Sequence, residues 1–207
     1  MAYILGFIYA DGNIVKTKRG THFVSIYTAD KELLKSIKII IKSEHAISER
    51  NSSSGKVFRL QVGSKEWYSD LSEIGVFPNK SLRMRLPDIP DKYFGDFVRG
   101  YFDGDGNVWV GEIHKNRLSP SLTLQIAFTS CSYNFLLDLH KRLQSVVDVE
   151  GGSLYRSKIK NFSRLSFSKM NALKIYKIMY NAEHKLFLPR KKQVFAKFVN
   201  CGGSSTG

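Results

Sequence analysis

Cysteine is scarce: Cys131 and Cys201 are the only two in 207 residues. They are too few to staple a small secreted domain and too far apart to form a metal-spaced cluster, so a reducing, intracellular compartment is the default expectation. Long apolar runs are also missing. None approaches the ~20 residues of a membrane-spanning helix, and no membrane partner is expected. The apolar opening from Tyr3 to Ala10 follows no basic segment and ends in Asp11, unlike a signal peptide. Acidic residues are the third shortage, with 18 Asp and Glu against 32 Lys and Arg and a net charge of +14. Both halves of the chain are basic, so the charge is not a tail, and it points to a polyanionic partner. What remains is 43% hydrophobic and 13% aromatic, enough for a packed core and incompatible with disorder as the main state. Gly202 to Gly207 read as a flexible tail.

The chain repeats itself. The segment Ile4-Leu5-Gly6-Phe7-Ile8-Tyr9-Ala10-Asp11-Gly12-Asn13 returns as Val98-Arg99-Gly100-Tyr101-Phe102-Asp103-Gly104-Asp105-Gly106-Asn107. After the first copy come a β-rich stretch, Thr21 to Thr28, and a helical one, Asp30 to Lys42. Ser121 to Thr129 and Ser132 to Val146 follow the second. Each half then has a strand pair, Ala46–Arg50 with Lys56–Gly63, and Ser153–Lys160 with Phe162–Ser168. A further helix follows, Ser64 to Ile74 or Ser168 to Asn181, then a basic stretch containing proline, Phe77 to Ser81 or Leu188 to Lys192. The pattern predicts α-β-β-α-β-β-α twice: an α+β, pseudo-twofold molecule with repeats over residues 1–86 and 87–201. A linker is expected at about 82–91, marked by Pro87 and Pro90.

Strand alternation gives each sheet one apolar and one polar face. Leu122, Leu124, Ile126 and Phe128 alternate with Thr123, Gln125, Ala127 and Thr129. In the first half Val24 and Ile26 alternate with Ser25 and Tyr27, and Phe58, Leu60 and Val62 with Arg59 and Gln61. Two such sheets suit a long polyanion. From Tyr155 to Lys192 the chain is strongly basic, with Glu183 its one acid, and Tyr155, Arg156, Lys158 and Lys160 are expected in a strand contacting phosphate.

The motif segments read as helices. Ala2, Gly6 and Ala10, like Gly100 and Gly104, recur every four residues and form a stripe of small side chains along which two backbones can approach. Glycine inside a helix costs ~0.5–1 kcal/mol relative to alanine, and a close contact centred on Gly6 and Gly100 would recover that. Asp11 and Asp105 fall at the helix C-termini, with Gly12 and Gly106 just beyond. A carboxylate there faces the negative end of the helix dipole, a cost of a few tenths to ~1 kcal/mol. Folding alone does not place an acid there twice. Carboxylates together with exposed helix-end carbonyls, those of Ala10 and Gly104, form an all-oxygen site for a hard divalent cation.

Other chemistries fit poorly. Counted from Asp103, an EF-hand would need glycine where Val108 stands and glutamate where His114 stands. The five histidines form neither a zinc pattern nor a nuclease cluster.

The paired motifs, their spacing and their flanking pattern resemble the single-chain LAGLIDADG homing endonucleases, over nearly the whole chain. The resemblance implies that Asp11 and Asp105 bind the catalytic metal. Tyr9 replaces the family's earlier acid in the first motif, whereas Asp103 retains it in the second. It implies a basic residue near each active site, Lys80 in the first repeat and Lys191 in the second, with Lys192 and Arg190 as alternatives to Lys191. Polar groups at a strand end, Thr28 and Ser130, match more loosely. The implied function is sequence-specific cleavage of double-stranded DNA by a monomer without an obligate protein partner, at a long asymmetric site, leaving short 3′ overhangs and serving the mobility of an intron or intein. Mg²⁺ is the implied cofactor, with Mn²⁺ expected to substitute and Ca²⁺ to bind without supporting cleavage. Ser25, Tyr27, Arg59, Gln61, Thr123, Gln125, Thr129, Arg156, Lys158 and Arg164 are the expected DNA contacts. An intron maturase, binding RNA on the same fold, and a non-cleaving DNA-binding regulator are the alternatives.

Overall fold

The computed structural model of the protein describes residues 1–53, 55–113, 121–181 and 186–200. Cys201, the expected tail at 202–207, His114 and Glu183 lie outside the described residues. The first half runs α1 (Ala2–Asp11), β1 (Gly12–Lys16), β2 (His22–Thr28), α2 (Lys31–Ile40), β3 (Ile47–Ser52), β4 (Gly55–Gly63) and α3 (Lys65–Glu73), then a 3-10 turn at Lys80–Leu82. The second half runs α4 (Asp91–Asp105), β5 (Gly106–Ile113), β6 (Ser121–Ser130), α5 (Tyr133–Val147), β7 (Ser153–Arg156), β8 (Ser163–Ser168), α6 (Lys169–Met179) and α7 (Pro189–Asn200). Two four-stranded antiparallel sheets result, in orders β1-β2-β4-β3 and β5-β6-β8-β7. The molecule is α+β and duplicated, as its sequence indicates.

The corresponding elements start by corresponding local chemistry. At the end of β2, Thr28 Oγ1 accepts the Asp30 N–H, and Asp30 then caps α2 by accepting from Leu33 N at 3.0 Å. At the end of β6, Ser130 Oγ accepts the Ser132 N–H, and Ser132 caps α5 by accepting from Phe135 N at 3.3 Å. Each cap satisfies a helix-end donor that has no intrahelical partner. Thr28 and Ser130 are thus engaged in turns.

Two elements differ from expectation. The stretch after Leu188 is a helix, α7. Proline suits a first helical position because its φ is already set and its missing N–H is not needed there. Phe195 and Phe198 bury against the core, with Phe195 stacked on Tyr176 at 4.6 Å and against Phe102 at 5.8 Å. The corresponding stretch in the first half makes one 3-10 turn, entered through Asn79 in the left-handed region at φ 57. Strand β7 also ends early, at Arg156. Ser157 turns the chain: its Oγ accepts from Ile159 N and Lys160 N, and its N–H donates to Phe162 O. Lys158 and Lys160 therefore lie in a bend rather than a strand.

The two halves meet where α1 packs on α4. A Cβ built on Gly6 would overlap Phe97 O and stand 2.9 Å from Tyr101 N; one on Gly100 would overlap Tyr3 O and stand 3.0 Å from Phe7 N. Tyr3 and Phe97, like Phe7 and Tyr101, occupy equivalent positions of the two motifs, so the contact is a pseudo-twofold one between backbones. Aromatic rings seal its flanks: Tyr9 on Phe97 at 5.4 Å, and Tyr101 on Phe135 at 4.5 Å. The helix-facing sides of the sheets bury Ile14, Val24, Ile26 and Leu60 in the first half and Leu124, Ile126, Phe128 and Leu165 in the second.

Because backbone atoms occupy the space, Gly6→Leu or Gly100→Leu must push the helices apart. Each is expected to lower unfolding free energy in urea by ~1–3 kcal/mol or more. A bulky residue accepted at both positions without loss would show that the helices do not meet there.

Candidate functional site

Each acid sits on the last residue of its motif helix, and the next residue starts the first strand of its sheet. The site therefore lies where the helix pair meets the two sheets. A Cβ on Gly104 would overlap the Ala10 methyl and stand 3.1 Å from Asp11 Oδ2, so the small residues the sequence assigned beside the metal, Ala10 and Gly104, touch and bring the helix ends together.

The electrostatics reflect that crowding. Burial, then the charge of Asp105, push the Asp11 carboxyl up to about 6. Burial also raises Asp105, against the opposing charges of Lys80 and Lys191. Both lysines are buried beside the acids. Lys80 Nζ donates to Gly12 O at 2.7 Å; Lys191 Nζ donates to Gly106 O at 2.7 Å, to Phe102 O at 2.6 Å and to Asp103 O at 2.8 Å. Burial lowers the Lys80 ammonium, and it lowers Lys191 to about 8. The structure thus brings Asp11, Asp105, Lys80 and Lys191 together, and it favours Lys191 over Arg190 and Lys192. Lys192 lies over the Phe187 and Tyr180 rings instead.

No group of three or more His, Cys, Asp or Glu that could hold a metal occurs among the described residues. The donor set at the helix ends is two carboxylates plus backbone oxygens. It fits a hard divalent cation completed by phosphate and water, and it suits neither zinc nor a soft metal.

Above the site are the sheet faces turned away from the helices. In the first sheet Asn13 pairs with Ser25, Ser25 with Gln61, Tyr27 with Arg59, and Arg59 with Ser48. In the second, Trp109 pairs with Gln125, Thr129 with Arg164, and Arg164 with Tyr155. Tyr27, Arg59, Gln61, Gln125 and Arg164 therefore share outward faces, as the alternation indicated.

Five of the expected contacts are placed differently. Ser25 is 2% exposed and its Oγ accepts from Gln61 Nε2; Thr123 is 5% exposed. Neither offers surface to a base edge. The Thr129 hydroxyl donates to Asp105 O at 2.8 Å, which ties β6 to the end of α4. Arg156 pairs with Ser163 on the helix-side face that Leu154 shares with Leu165, and its guanidinium lies 5.6 Å from the Tyr133 ring centre. Lys158 is exposed in the β7–β8 bend.

Sequence reasoning missed Asn13 and Trp109 on the outward faces, and it named Tyr155 only within a basic stretch expected to contact phosphate. Counting parity from Gly12, Gly106 and Leu154 would have found them. It also missed a buried polar cluster beneath α4. There Asp103 Oδ2 accepts from Tyr3 OH at 2.7 Å and Leu188 N at 2.9 Å, and Arg99 donates to Leu186 O, Met179 O and Asp96. Two charged residues inside an otherwise apolar stretch, Arg99 and Asp103, were its signal.

A family model described as a LAGLIDADG-like domain matches residues 1–73. An uncharacterized protein of Methanocaldococcus jannaschii is 29% identical over 119 residues, covering 55% of this chain and 41% of that protein, so the match spans less than half the length of this curated relative. A mutant of I-SmaMI superposes with a TM-score of 0.68 at 14% identity, over 99% of this chain and 92% of that one. I-LtrWI, a LAGLIDADG homing endonuclease solved bound to target DNA, superposes with a TM-score of 0.62 at 14% identity, over 97% and 88%. I-SmaMI has also been solved on an uncleaved DNA target in the presence of calcium ions. The chain has the LAGLIDADG homing endonuclease fold, and a LAGLIDADG-like domain opens it.

The raised carboxyl at Asp11 has a consequence for the metal-free protein. The folded chain holds a proton there between 3.8 and about 6 that the unfolded chain gives up. Stability should therefore fall as pH rises through that window and stay lower above it. In EDTA at pH 7, Asp11→Asn is expected to stabilise the fold by roughly 1–3 kcal/mol, the order set by a shift of two pH units. Denaturant melts of wild type and variant at pH 4 and pH 7 check this. A variant less stable than wild type at pH 7 would mean that the acid is no burden to the fold.

Proposed function

We propose that this chain is a site-specific double-strand DNA endonuclease acting as a monomer, with residues 1–86 and 87–201 as unequal halves of one active body. The observation that carries the reading is the convergence of Asp11 and Asp105 at paired helix ends, where Gly104 is pressed against Ala10 and Asp11, beside two buried lysines. Nothing in the fold's own energetics rewards that arrangement: two acids lie near each other and near the negative ends of two helix dipoles. An intracellular, reducing compartment holding DNA is the setting proposed for it.

Each sheet lies along a major groove, where Tyr27, Arg59 and Gln61 on one side and Trp109, Gln125, Arg164 and Tyr155 on the other meet base edges, while lysines and arginines around them hold phosphates. Asp11 and Asp105, with the carbonyls of Ala10 and Gly104, would hold a divalent cation, Mg²⁺ or Mn²⁺. When bound, the cation supplies charge stabilisation at the scissile phosphate and a more acidic water. The lysines add positive charge to the same small volume. Since both acids lie at the helix contact, under the middle of the two sheets, the cuts would fall across the minor groove and leave short 3′ overhangs. Ca²⁺ would occupy the oxygen site without supporting the reaction.

The test is to expose a randomised DNA library to the protein with Mg²⁺ and sequence the cut ends. The expected product is one asymmetric site of ~20 bp, two turns of ~10–10.5 bp, with a constant 3′ overhang. Asp11→Asn and Asp105→Asn should abolish double-strand cleavage and leave DNA affinity largely intact. Undiminished cutting by the double variant would sink the site, and RNA binding without any DNA cutting would favour the maturase reading. Affinity for the selected site should also fall by ~10³ or more between 50 and 200 mM salt if roughly six phosphates are neutralised; a flat salt response would remove the phosphate contacts from the account.

A further inference from the structure

The repeat suggests two equivalent reaction centres, but the buried lysines are not used alike. Lys80 and Lys191 both reach the carbonyl of the glycine that follows their acid, Gly12 O and Gly106 O. There the likeness ends. An ammonium group has three N–H donors. Lys191 spends all three on backbone carbonyls at the end of α4: Phe102 O, Asp103 O and Gly106 O. Lys80 makes, among the described residues, the one bond to Gly12 O, and two N–H groups remain to be offered elsewhere. The opposing charges nearest in effect to Lys80 are Asp105 and then Asp11; for Lys191 the first is Asp103.

Asp103 explains the difference. Its carboxylate accepts from Leu188 N at 2.9 Å and from Tyr3 OH at 2.7 Å, while Lys191 N donates to Leu188 O at 3.1 Å. The acid thus sits at the start of α7, where the helix dipole favours a negative charge, and it fixes the helix that carries Lys191. In the first repeat the same motif position is Tyr9, whose hydroxyl donates to Ile74 O at 3.0 Å. That half has no acid at this motif position to anchor the segment that carries its lysine, and a single 3-10 turn in place of a long helix.

Resting on the endonuclease reading, we infer that Lys80 is the lysine that meets the reacting phosphate at one centre, whereas Lys191 is a positioning residue that caps α4 and, with Asp103, locks α7 in place. The two strands are then cut by unequal machinery. Loss of Lys80 acts on one strand. Loss of Lys191 loosens the end of α4, and because Gly104 is pressed against Ala10 and Asp11, the disturbance reaches both acids and both strands.

The experiment uses the site that the wild-type protein selects from the library, with each strand separately end-labelled and cleavage followed in single turnover with Mg²⁺. Lys80→Met should slow one strand by about 100-fold or more relative to the other, the usual scale for losing one charge-stabilising donor, and supercoiled plasmid should accumulate as nicked circles. Lys191→Met should slow both strands together, with their ratio within roughly threefold of wild type, and Lys191→Arg should restore both in parallel. Lys191→Met should also lower Tm by about 5 °C more than Lys80→Met, since several backbone carbonyls lose their donor. A folded Lys191→Met or Lys191→Arg protein that loses one strand selectively, as Lys80→Met loses the other, would overturn the inference. If the wild-type protein cuts nothing in the library, it is the endonuclease reading that fails. The melting comparison still decides the positioning role, and an equal or smaller loss of Tm for Lys191→Met would end it.

Discussion

Everything in this molecule is hung on the approach of two helix backbones. At Gly6 and Gly100 no side chain separates α1 from α4, and each glycine faces a carbonyl oxygen of the other helix. Such a contact has almost no play, because interiors pack at crystal-like density and backbone atoms have nowhere to move. The consequence runs outward at once: Gly12 begins β1 one residue after α1 ends, and Gly106 begins β5 one residue after α4 ends. The same contact therefore fixes the spacing of the two acids and the angle between the two sheets. A looser interface with larger side chains would bury as much apolar surface, yet it would let the site and the sheets drift relative to each other.

The acids set a second constraint, which opposes folding. Asp11 and Asp105 are partly buried, close together and at the wrong ends of their helices, and their carboxyls rise accordingly. Lys80 and Lys191 offset this by donating to carbonyls at the same helix ends, where a cation is favoured. They are themselves desolvated by it, so all four groups carry a burial cost against which their opposite charges act. A cost of this kind, borne within rigid surroundings, is the physical mark of a site kept for chemistry.

The fold was largely legible because its signals are local and occur twice. The motif stripe, the strand alternation and the helical stretches from Asp30 and Ser132 need only neighbouring residues to be read. Asp11 and Asp105 stood out as candidates for the same reason, the family resemblance pointed to Lys80 and Lys191, and the fold brings the four to one place. What escaped depends on contacts distant in sequence or on a one-residue parity. Arg156 looked like a phosphate contact because it lies in a basic stretch, but β7 places it on the face it shares with Leu154, and Tyr155 is the outward residue. Ser25 and Thr123 have the right parity, and small side chains at the centre of a sheet are covered by their neighbours. Thr129 is claimed by the carbonyl of Asp105. Helix α7 was hidden because Leu188-Pro189-Arg190-Lys191-Lys192 reads as a basic turn until Phe195 and Phe198 are seen to pack underneath.

Joining the two repeats in one chain allows what a symmetric dimer would forbid. In a dimer of identical halves, any substitution made for one side appears on the other. Here the halves share the helix contact, the acids, the strand that follows each acid and the order of the sheet strands. Away from that axis they have separated. The pair Trp109 and Gln125 stands on the second outward face where Val15 and Phe23 pair on the first. Asp103 stands where the first motif has Tyr9, and a helix of twelve residues stands where the first half makes a single turn. On the endonuclease reading proposed above, the outward differences would suit an asymmetric target. The inward differences lie where no base can reach. They change how each lysine is held, so the asymmetry of the outward faces extends inward to the paired helix ends.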